Sequence, residues 1–551
     1  MNKFGKLAFT LLVLGLAGFA ILRWNKTGQT GFTPGGSTSS DPKPAAVPEG
    51  VEFLAPMERP DRLPAPLPFV PKDGVLDVEL SQYAGYAGLI LANGGLAPNP
   101  ESWITKTHGV KLRLTLSEED CWPALNSGRL AASSTTVDVL PLYGKAFDVV
   151  VPAQFCFSRG ADGIVVRKEI RQINNLRGKV LSSARFNETE FFLRYLAQEA
   201  GIPVHAMPSA DSPPEADKIN LLYCEDAEVA AQAFLSDLQN KGGLLAGCVS
   251  WAPFTTETVE AAGGAARLLV DSRNLLIVSD VLVMNKGFAQ ANPPAVAALT
   301  EAITWGNTQL RADVAPHVPL LAKALGWTEP ETREELAKIH FSNLPESVAF
   351  FEGSIDSAGS FESIFQSSLL AYGSGVNPNP VSSSWFLDLK PLQAIAAKPE
   401  YASQTVEIRP IRSSGAASIE NDPLLTRDIR FYFQPNSAAL EADNPKNAEF
   451  YQAIAKMLKV SPGSTIILRG HVDDGRRAEF ERDGKETLRT MALRAVELSQ
   501  NRAKAVKEQL VNGLKIEEAR IETVGLGWNE PGDNLTSDLK RRVEVRWYTV
   551  E

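Results

Sequence analysis

From residue 75 onward, short apolar runs alternate with stretches of helical period, a pattern of α/β units on mixed sheets. Val110-Lys111-Leu112-Arg113-Leu114 alternates with period two and predicts a strand with one buried face. Residues 163–166, 243–253 and 279–284 read as strands, and 176–181 as a turn leading into a strand. Between them lie helical stretches. Tyr83-Ala84-Gly85-Tyr86 opens one that ends at Gly94-Gly95, 122–130 and 228–238 supply others, and Asn292-Pro293-Pro294 starts another. Asn187 and Glu190 have the spacing of a capping box at the head of a further helix.

The pattern changes near the C-terminus. Arg430-Phe431-Tyr432-Phe433 alternates as a strand, and 450–458 is amphipathic, with Phe450, Ile454, Met457 and Leu458 on one face. Strand patterns follow at 465–468, 520–527 and 541–545, with a helix over 498–510. Helices on one face of a four-stranded sheet would bury these stripes. Residues 344–398 carry many aromatics in a helical pattern and no recognisable chemistry.

The first residues read differently. Lys3 and Lys6 precede a run without charge from Leu7 to Leu22, closed by Arg23-Trp24-Asn25-Lys26. Sixteen residues rise about 24 Å as a helix, against a hydrocarbon core of roughly 30 Å. Snorkelling Lys6 and Arg23 and an interfacial Trp24 make up the difference. Two readings stand: a membrane helix over 1–26, or a cleaved signal peptide with Gly18-Phe19-Ala20 as the cleavage site. Both place the rest of the chain outside the cytoplasm. No cysteine lies near the segment, which excludes a lipoprotein. Residues 27–74 are rich in Gly, Ser, Thr and Pro and predict a tether; 401–423 reads as a second linker.

The chain has 551 residues, of which 44% are hydrophobic and 22% charged, ordinary values for globular proteins. Its 55 Lys/Arg against 65 Asp/Glu give a net charge of −10. From Leu424 on there are 21 basic against 20 acidic residues, leaving 34 against 45 before it. Neither part carries the basic surplus that a phosphate backbone demands, which excludes nucleic acid as a partner. The four cysteines (Cys121, Cys156, Cys224, Cys248) permit three pairings in an oxidising compartment, or none if they are small buried hydrophobes. They and the five scattered histidines show no metal-ligand spacing. GxSxG, P-loop and HExxH motifs are absent, so no enzyme, cofactor or metal is expected.

Several ordered strings carry a resemblance. Leu176-Arg177-Gly178-Lys179-Val180, Phe234 followed by Trp251-Ala252-Pro253, and Asn292-Pro293 with Val296 and Leu299 resemble periplasmic solute-binding proteins for nitrate, sulfonates, taurine and thiamine precursors. The resemblance covers 75–400. It implies a two-lobed α/β binding-protein fold of type II-like topology, lobe two at about 164–270, closing over a ligand by hinge motion. An acidic residue usual in that family before the tryptophan is missing, since this chain reads Leu245-Ala246-Gly247-Cys248-Val249. Loops at helix N-termini offer N–H groups to an anion or polar ligand. The candidate pocket therefore comprises Ser182, Ser183 and Arg185 facing Ser133, Ser134 and Thr135, with Tyr86 and Trp251 as walls. Each also has a structural reading: serines and threonines as caps and turns, Arg185 in a surface ion pair, Trp251 in the core.

Residues 424–551 resemble the OmpA-like peptidoglycan-binding domain, an α+β fold. The matching strings are Phe-x-x-Asn-Ser-Ala-x-Leu at 433–440, Gly-His-x-Asp at 470–473, Leu-Ser-x-x-Arg-Ala-x-x-Val at 498–506, Arg-Ile-x-x-x-Gly-x-Gly at 520–527 and Arg-Arg-Val-Glu at 541–544. The resemblance implies that Asp473 and Arg502 grip the diaminopimelate of a peptide stem. A carboxylate suits its ammonium, and a bidentate guanidinium suits its carboxylate. The alternative is that the two residues pair with each other or cap helices. Two departures stand out: a charged insertion over 476–491, and Ala495 where the family has Asn.

Taken together, these features predict a periplasmic solute-binding protein of an ABC-transporter-like system, tethered to the inner membrane and anchored non-covalently to peptidoglycan. Its expected partners are the diaminopimelate stem, a small polar or anionic ligand, the inner membrane and an ABC permease. The alternative is a structural envelope anchor or sensor whose middle domain is a scaffold.

Overall fold

The computed structural model describes residues 51–117, 121–354, 359–373, 375–377, 380–408, 423–434, 437–441, 443–529 and 540–548. The expected membrane or signal segment at 1–26, the first half of the tether (27–50) and most of the second linker lie outside the described residues. The second half of the expected tether, 51–74, is instead packed on the lobes: Leu63 and Phe69 are buried, the Leu54 N–H donates to the Tyr223 carbonyl and the Leu67 N–H to the Asn126 carbonyl. Among the described residues, no helix is long and apolar enough to cross a membrane.

Three sheets organise the chain. The first has six strands in the order Ile339–Phe341, Val149–Ser158, Ser279–Asn285, Ala132–Thr136, Val75–Leu80, Lys111–Leu116. Val75–Leu80 runs parallel to both neighbours, while Ser279–Asn285 is antiparallel to both of its own. The second also has six: Ala266–Asp271, Asp162–Arg167, Gly247–Trp251, Val180–Ser183, Ile219–Tyr223, Val204–Ala206. Helices cover these sheets, which is why Val149–Ser158 and Ser279–Asn285 are buried along their whole length and read as apolar runs without alternation. At the edge, Lys111–Leu116 keeps its charged positions exposed and its leucines inside.

The chain crosses between these two lobes twice, from Ser158 to Asp162 and from Asp271 back to Ser279. The crossings are stitched to each other. Ser272 Oγ lies 2.7 Å from Ser158 Oγ and accepts from the Gly160 N–H at 2.9 Å, and Arg159 Nε donates to the Arg273 carbonyl at 3.1 Å. Side-by-side crossing strands of this kind form a hinge about which two lobes can close.

The third sheet has the order Leu425–Ile429, Val543–Tyr548, Thr465–Gly470, Ile521–Gly525. Helices Pro445–Val460 and Lys485–Glu508 pack on it through Ile454, Met457, Leu458, Ala503 and Val506. Its first strand begins earlier than the 430–433 alternation predicts. Leu425 and Ile429 enter the core in register with Trp547 and Val543, whereas Phe431 packs against Phe450 and Tyr451 with ring centroids 5.6 and 4.9 Å away.

This domain is bonded to the second lobe and the hinge. The Ile173 N–H donates to the Leu424 carbonyl, and Asn174 exchanges hydrogen bonds of 2.8 and 2.9 Å with the backbone of Thr426. The Leu276 N–H, on a crossing segment, donates to the Val460 carbonyl at 2.9 Å.

Two local expectations are corrected. Asn187 caps its helix by accepting from Thr189 and Glu190 N–H groups, but Glu190 reaches back to the Phe186 N–H rather than to Asn187. Glu190 is buried and takes Arg194 at 2.7 Å and the Tyr223 hydroxyl at 2.5 Å, partners that lie inward. All four cysteines are free thiols, so none of the three disulfide pairings is formed. Cys156, Cys224 and Cys248 are packed into the core as small hydrophobes.

Candidate functional site

Two places gather functional side chains. The first is a cavity of about 90 Å³ between the lobes. The first lobe contributes Tyr83, Tyr86, Trp122, Ser134, Thr135, Thr136 and Asp280; the second contributes Asp162, Asn187, Glu188 and Trp251. Strand geometry explains the pairing of lobes: Asp162 and Trp251 sit opposite each other at the hinge end of the second sheet, and Asp280 opposite Thr136 in the first.

Of the candidates named from sequence, Tyr86, Ser134, Thr135 and Trp251 line this cavity. The other four do not. Ser182 is fully buried and donates to the Ala230 carbonyl at 2.7 Å. Ser183 donates to the Ala184 carbonyl at 2.8 Å, and Ser133 turns to Cys121 and the Ser134 carbonyl. Arg185 points away and donates to the Ala55 carbonyl at 3.0 Å. These side chains are taken up by local partners inside their own lobes rather than turned into the cleft.

The electrostatics run opposite to an anion site. Four lining side chains are carboxylic acids (Glu79, Asp162, Glu188, Asp280), and the described lining contains no Lys, Arg or His. Asp280 is 3% exposed and accepts from the Tyr86 hydroxyl at 2.7 Å; burial pushes its carboxyl up to about 7. Burial likewise raises Asp162 to about 6 and Asp138, just behind the lining strand, to about 7. Glu188 is held well above the carboxylate range by burial and then by the charges of Asp162 and Asp138. Thr135, 6% exposed, has a hydroxyl without a hydrogen-bond partner. Sequence reasoning missed the acids. The available signal was a lone aspartate at the mouth of an apolar run: Asp162 before Ile164-Val165-Val166, and Asp280 before Val281-Leu282-Val283.

The second site lies where Thr465–Gly470 runs out into His471-Val472-Asp473. Gly470 lets the long helix approach, because a Cβ there would overlap the Ser499 carbonyl oxygen. Gly525 does the same beneath Val496 and Gln500. This close seat brings Arg502 to the Asp473 loop. Arg502 is 8% exposed, donates through Nε to the Ser437 carbonyl at 3.1 Å and stacks over the Phe433 ring at 5.0 Å. Burial and the neighbouring Arg541 lower its pKa, with Asp473 opposing them. Asp473 accepts from the Gly475 N–H at 3.1 Å and faces Arg541 at 3.5 Å. Among the described residues no ion pair joins Asp473 to Arg502, so the two stand close with opposite charges and separate supports.

Residues 432–544 match the OmpA family. The strings at 433–440, 470–473, 498–506, 520–527 and 541–544 thus fall within or at the edge of one domain. A curated relative, the outer membrane protein Omp38 of Acinetobacter baumannii, is 28% identical over 150 residues, 26% of this chain; the chain spans 37% of that protein's length. For the rest of the chain, solved structures with similar outlines include the periplasmic aliphatic sulphonate binding protein of Escherichia coli. It is 17% identical, covering 57% of this chain and 97% of its own, with a TM-score of 0.43. The alkanesulfonate-binding protein of Xanthomonas axonopodis pv. citri, bound to MOPS, is 16% identical, covering 58% and 100%, with a TM-score of 0.42. A desulfurization enzyme, DSZB, also appears, 13% identical, covering 58% and 98%, with a TM-score of 0.37.

The charged insertion folds within the OmpA-family domain. Residues Arg477–Arg482 form a short helix whose Phe480 stacks on Trp528, centroids 6.0 Å apart, in a small cluster with Val472 and Ala495. Ala495 and Val472 share this cluster, so the 477–482 helix packs directly beside the loop that carries Asp473.

Proposed function

We propose that the chain is a cell-envelope binding protein with two separate sites. Asp473 and Arg502 hold the diaminopimelate stem of peptidoglycan, and the interlobe cleft holds a small polar ligand. The observation that supports the wall site most directly is the nearness of a carboxylate and a guanidinium that are held by other partners, Asp473 by Arg541 and Arg502 by the Ser437 carbonyl, and that together complement a zwitterion's ammonium and carboxylate. In this reading residues 7–22 tether the chain to the inner membrane, and the Gly-, Ser- and Pro-rich residues 27–50 link that tether to the rest of the chain.

Within that function, sensing or local capture fits better than delivery to an ABC permease. The OmpA-family domain is hydrogen-bonded to a hinge crossing at Leu276 and Val460, so a wall-bound chain keeps its binding lobes fixed to the wall.

The wall assignment is tested by co-sedimentation of the detergent-solubilised full chain with peptidoglycan sacculi. Arg502→Ala is expected to weaken binding 10- to 100-fold, in line with roughly 1.5–3 kcal/mol for hydrogen bonds to a charged group. Asp473→Asn should weaken it less, and Arg185→Ala should leave it unchanged. Wild-type protein remaining in the supernatant would refute the assignment.

A further inference from the structure

The cleft carries more information about its ligand than the fold does. Four acids line one cavity with no basic residue among the described lining. Burying a carboxylate is costly unless a partner compensates it, and several together repel each other as well. The Asp280–Tyr86 hydrogen bond satisfies only part of this need. Thr135 adds a buried hydroxyl with no partner, also lining the cavity. Such a cavity is incomplete without something positive inside it.

A metal ion does not fit. Among the described residues, no group of three His, Cys, Asp or Glu side chains converges to hold one. The rest of the lining suits an organic cation instead. Tyr83, Tyr86, Trp122 and Trp251 supply aromatic surface, with the Tyr83 and Tyr86 rings edge to face at 5.5 Å. Ring faces attract a cation as well as covering its apolar substituents. Above about pH 7, where Asp162 and Asp280 are ionised, an anion would meet like charge from both lobes.

We propose that the cleft takes a small organic ammonium, held between the carboxylates of Asp162, Asp280 and Glu188, with the aromatic rings around its carbon skeleton. This deepens the ligand-binding reading above and rests on it. Asp162 and Glu188 come from the second lobe and Asp280 from the first, so a cation between them draws the lobes together about the 158–162 and 271–279 crossings. Burial makes these carboxyls easier to protonate, so the cation is bound best above about pH 7, where Asp162 and Asp280 are ionised.

The test is titration calorimetry on the detergent-solubilised full chain at pH 8 with choline, ethanolamine and ethanesulfonate. Saturable binding of at least one ammonium with a Kd of about 1 mM or tighter, and none of ethanesulfonate, is expected. Asp280→Asn should weaken that binding at least 10-fold while leaving the thermal midpoint of the unliganded protein unchanged or higher. A merely structural aspartate would instead lower the midpoint on substitution. Glu188→Gln provides the same readout should Asp280→Asn fail to fold. Binding of ethanesulfonate without either ammonium overturns the proposal but leaves a ligand-binding cleft. Binding that tightens as pH falls to 5 also overturns it, because protonated acids would then be donating to the ligand. No saturable binding of any of the three overturns both readings.

Discussion

The two sites set carboxylates in opposite company. In the OmpA-family domain, buried Glu544 is surrounded: Arg469 lies at 2.9 Å, Arg546 at 2.6 Å and His471 at 3.6 Å. Burial alone would raise its pKa, but the nearby His471 imidazole and the hydrogen bonds from Arg546 and Arg469 outweigh that and hold it well below the carboxylate range. In the cleft, Asp162, Asp280 and Glu188 are comparably withdrawn from water, yet their neighbours are hydroxyls, rings and one another. One region has completed its electrostatics internally and, on the proposed reading, presents Asp473 and Arg502 to a zwitterion. The other has left its electrostatics open. A preformed site and a site completed by its ligand are thus separable by charge alone.

The strongest way to break this contrast is to remove the compensated charge. Glu544→Ala takes away the acceptor that Arg469 and Arg546 share, leaving buried cationic groups without it. Breaking a buried pair from one side costs about 3–5 kcal/mol. Chemical denaturation should show that loss in the OmpA-family domain, with ammonium binding in the cleft retained. A loss under 1 kcal/mol would mean that the network is solvated and that the contrast is overstated.

A smaller effect sharpens the geometry. Gly470→Ala puts a Cβ against the Ser499 carbonyl and pushes the long helix off the sheet. Overpacking of this kind costs about 1–3 kcal/mol, and here it also displaces Arg502 from the Asp473 loop. Sacculus binding should fall by more than the stability loss accounts for, measured under conditions where the variant is fully folded. Unchanged wall binding would show that Arg502 does not need this seat.

The same contrast explains what could be read from sequence. The resemblance of 470–473 and 498–506 to the OmpA-like domain names Asp473 and Arg502, and the structure adds the backbone reason the two segments meet: Gly470 and Gly525 let the long helix approach the sheet. The short apolar runs likewise point to α/β units on mixed sheets. The cleft was only partly legible. Tyr86, Ser134, Thr135 and Trp251 do line it, but residue type alone does not say that Ser182, Ser183, Ser133 and Arg185 bond to neighbours within their own lobes. Asp162 and Asp280 lie 118 positions apart in sequence, and only the hinge brings them to one cavity. A lone acid in an apolar strand marks such a residue, but its partner across the lobes is set by tertiary packing. The early start of the Leu425–Ile429 strand has the same origin, since pairing with Val543–Tyr548 overrides local alternation.

The mildest perturbation is pH, and it should act on the two regions with opposite sign. In the cleft the folded pKa values are raised, from 3.8 to about 6 for Asp162 and about 7 for Asp280 and Asp138, by burial. Around them stand Glu188, also raised, the buried hydroxyls of Tyr83 and Tyr86, the Cys156 thiol, and Asp271 with its Arg273 partner. The folded lobes therefore bind protons that the unfolded chain has released, and their stability declines as pH rises from about 4 to about 7. Water in the open cleft screens the effect, so a net change of about 1 kcal/mol, a few degrees in Tm, is expected. Glu544 works the other way. Its lowered pKa stabilises the OmpA-family domain at neutral pH, and that contribution fades as pH falls below the ordinary glutamate range. Scanning calorimetry between pH 4.5 and 7.5 should move the binding-lobe transition down with rising pH, a shift that Asp280→Asn flattens and a bound ammonium reverses. A binding-lobe transition that rises with pH would mean that the cleft acids are paired in the folded protein, and the open electrostatics of that site would have to be abandoned.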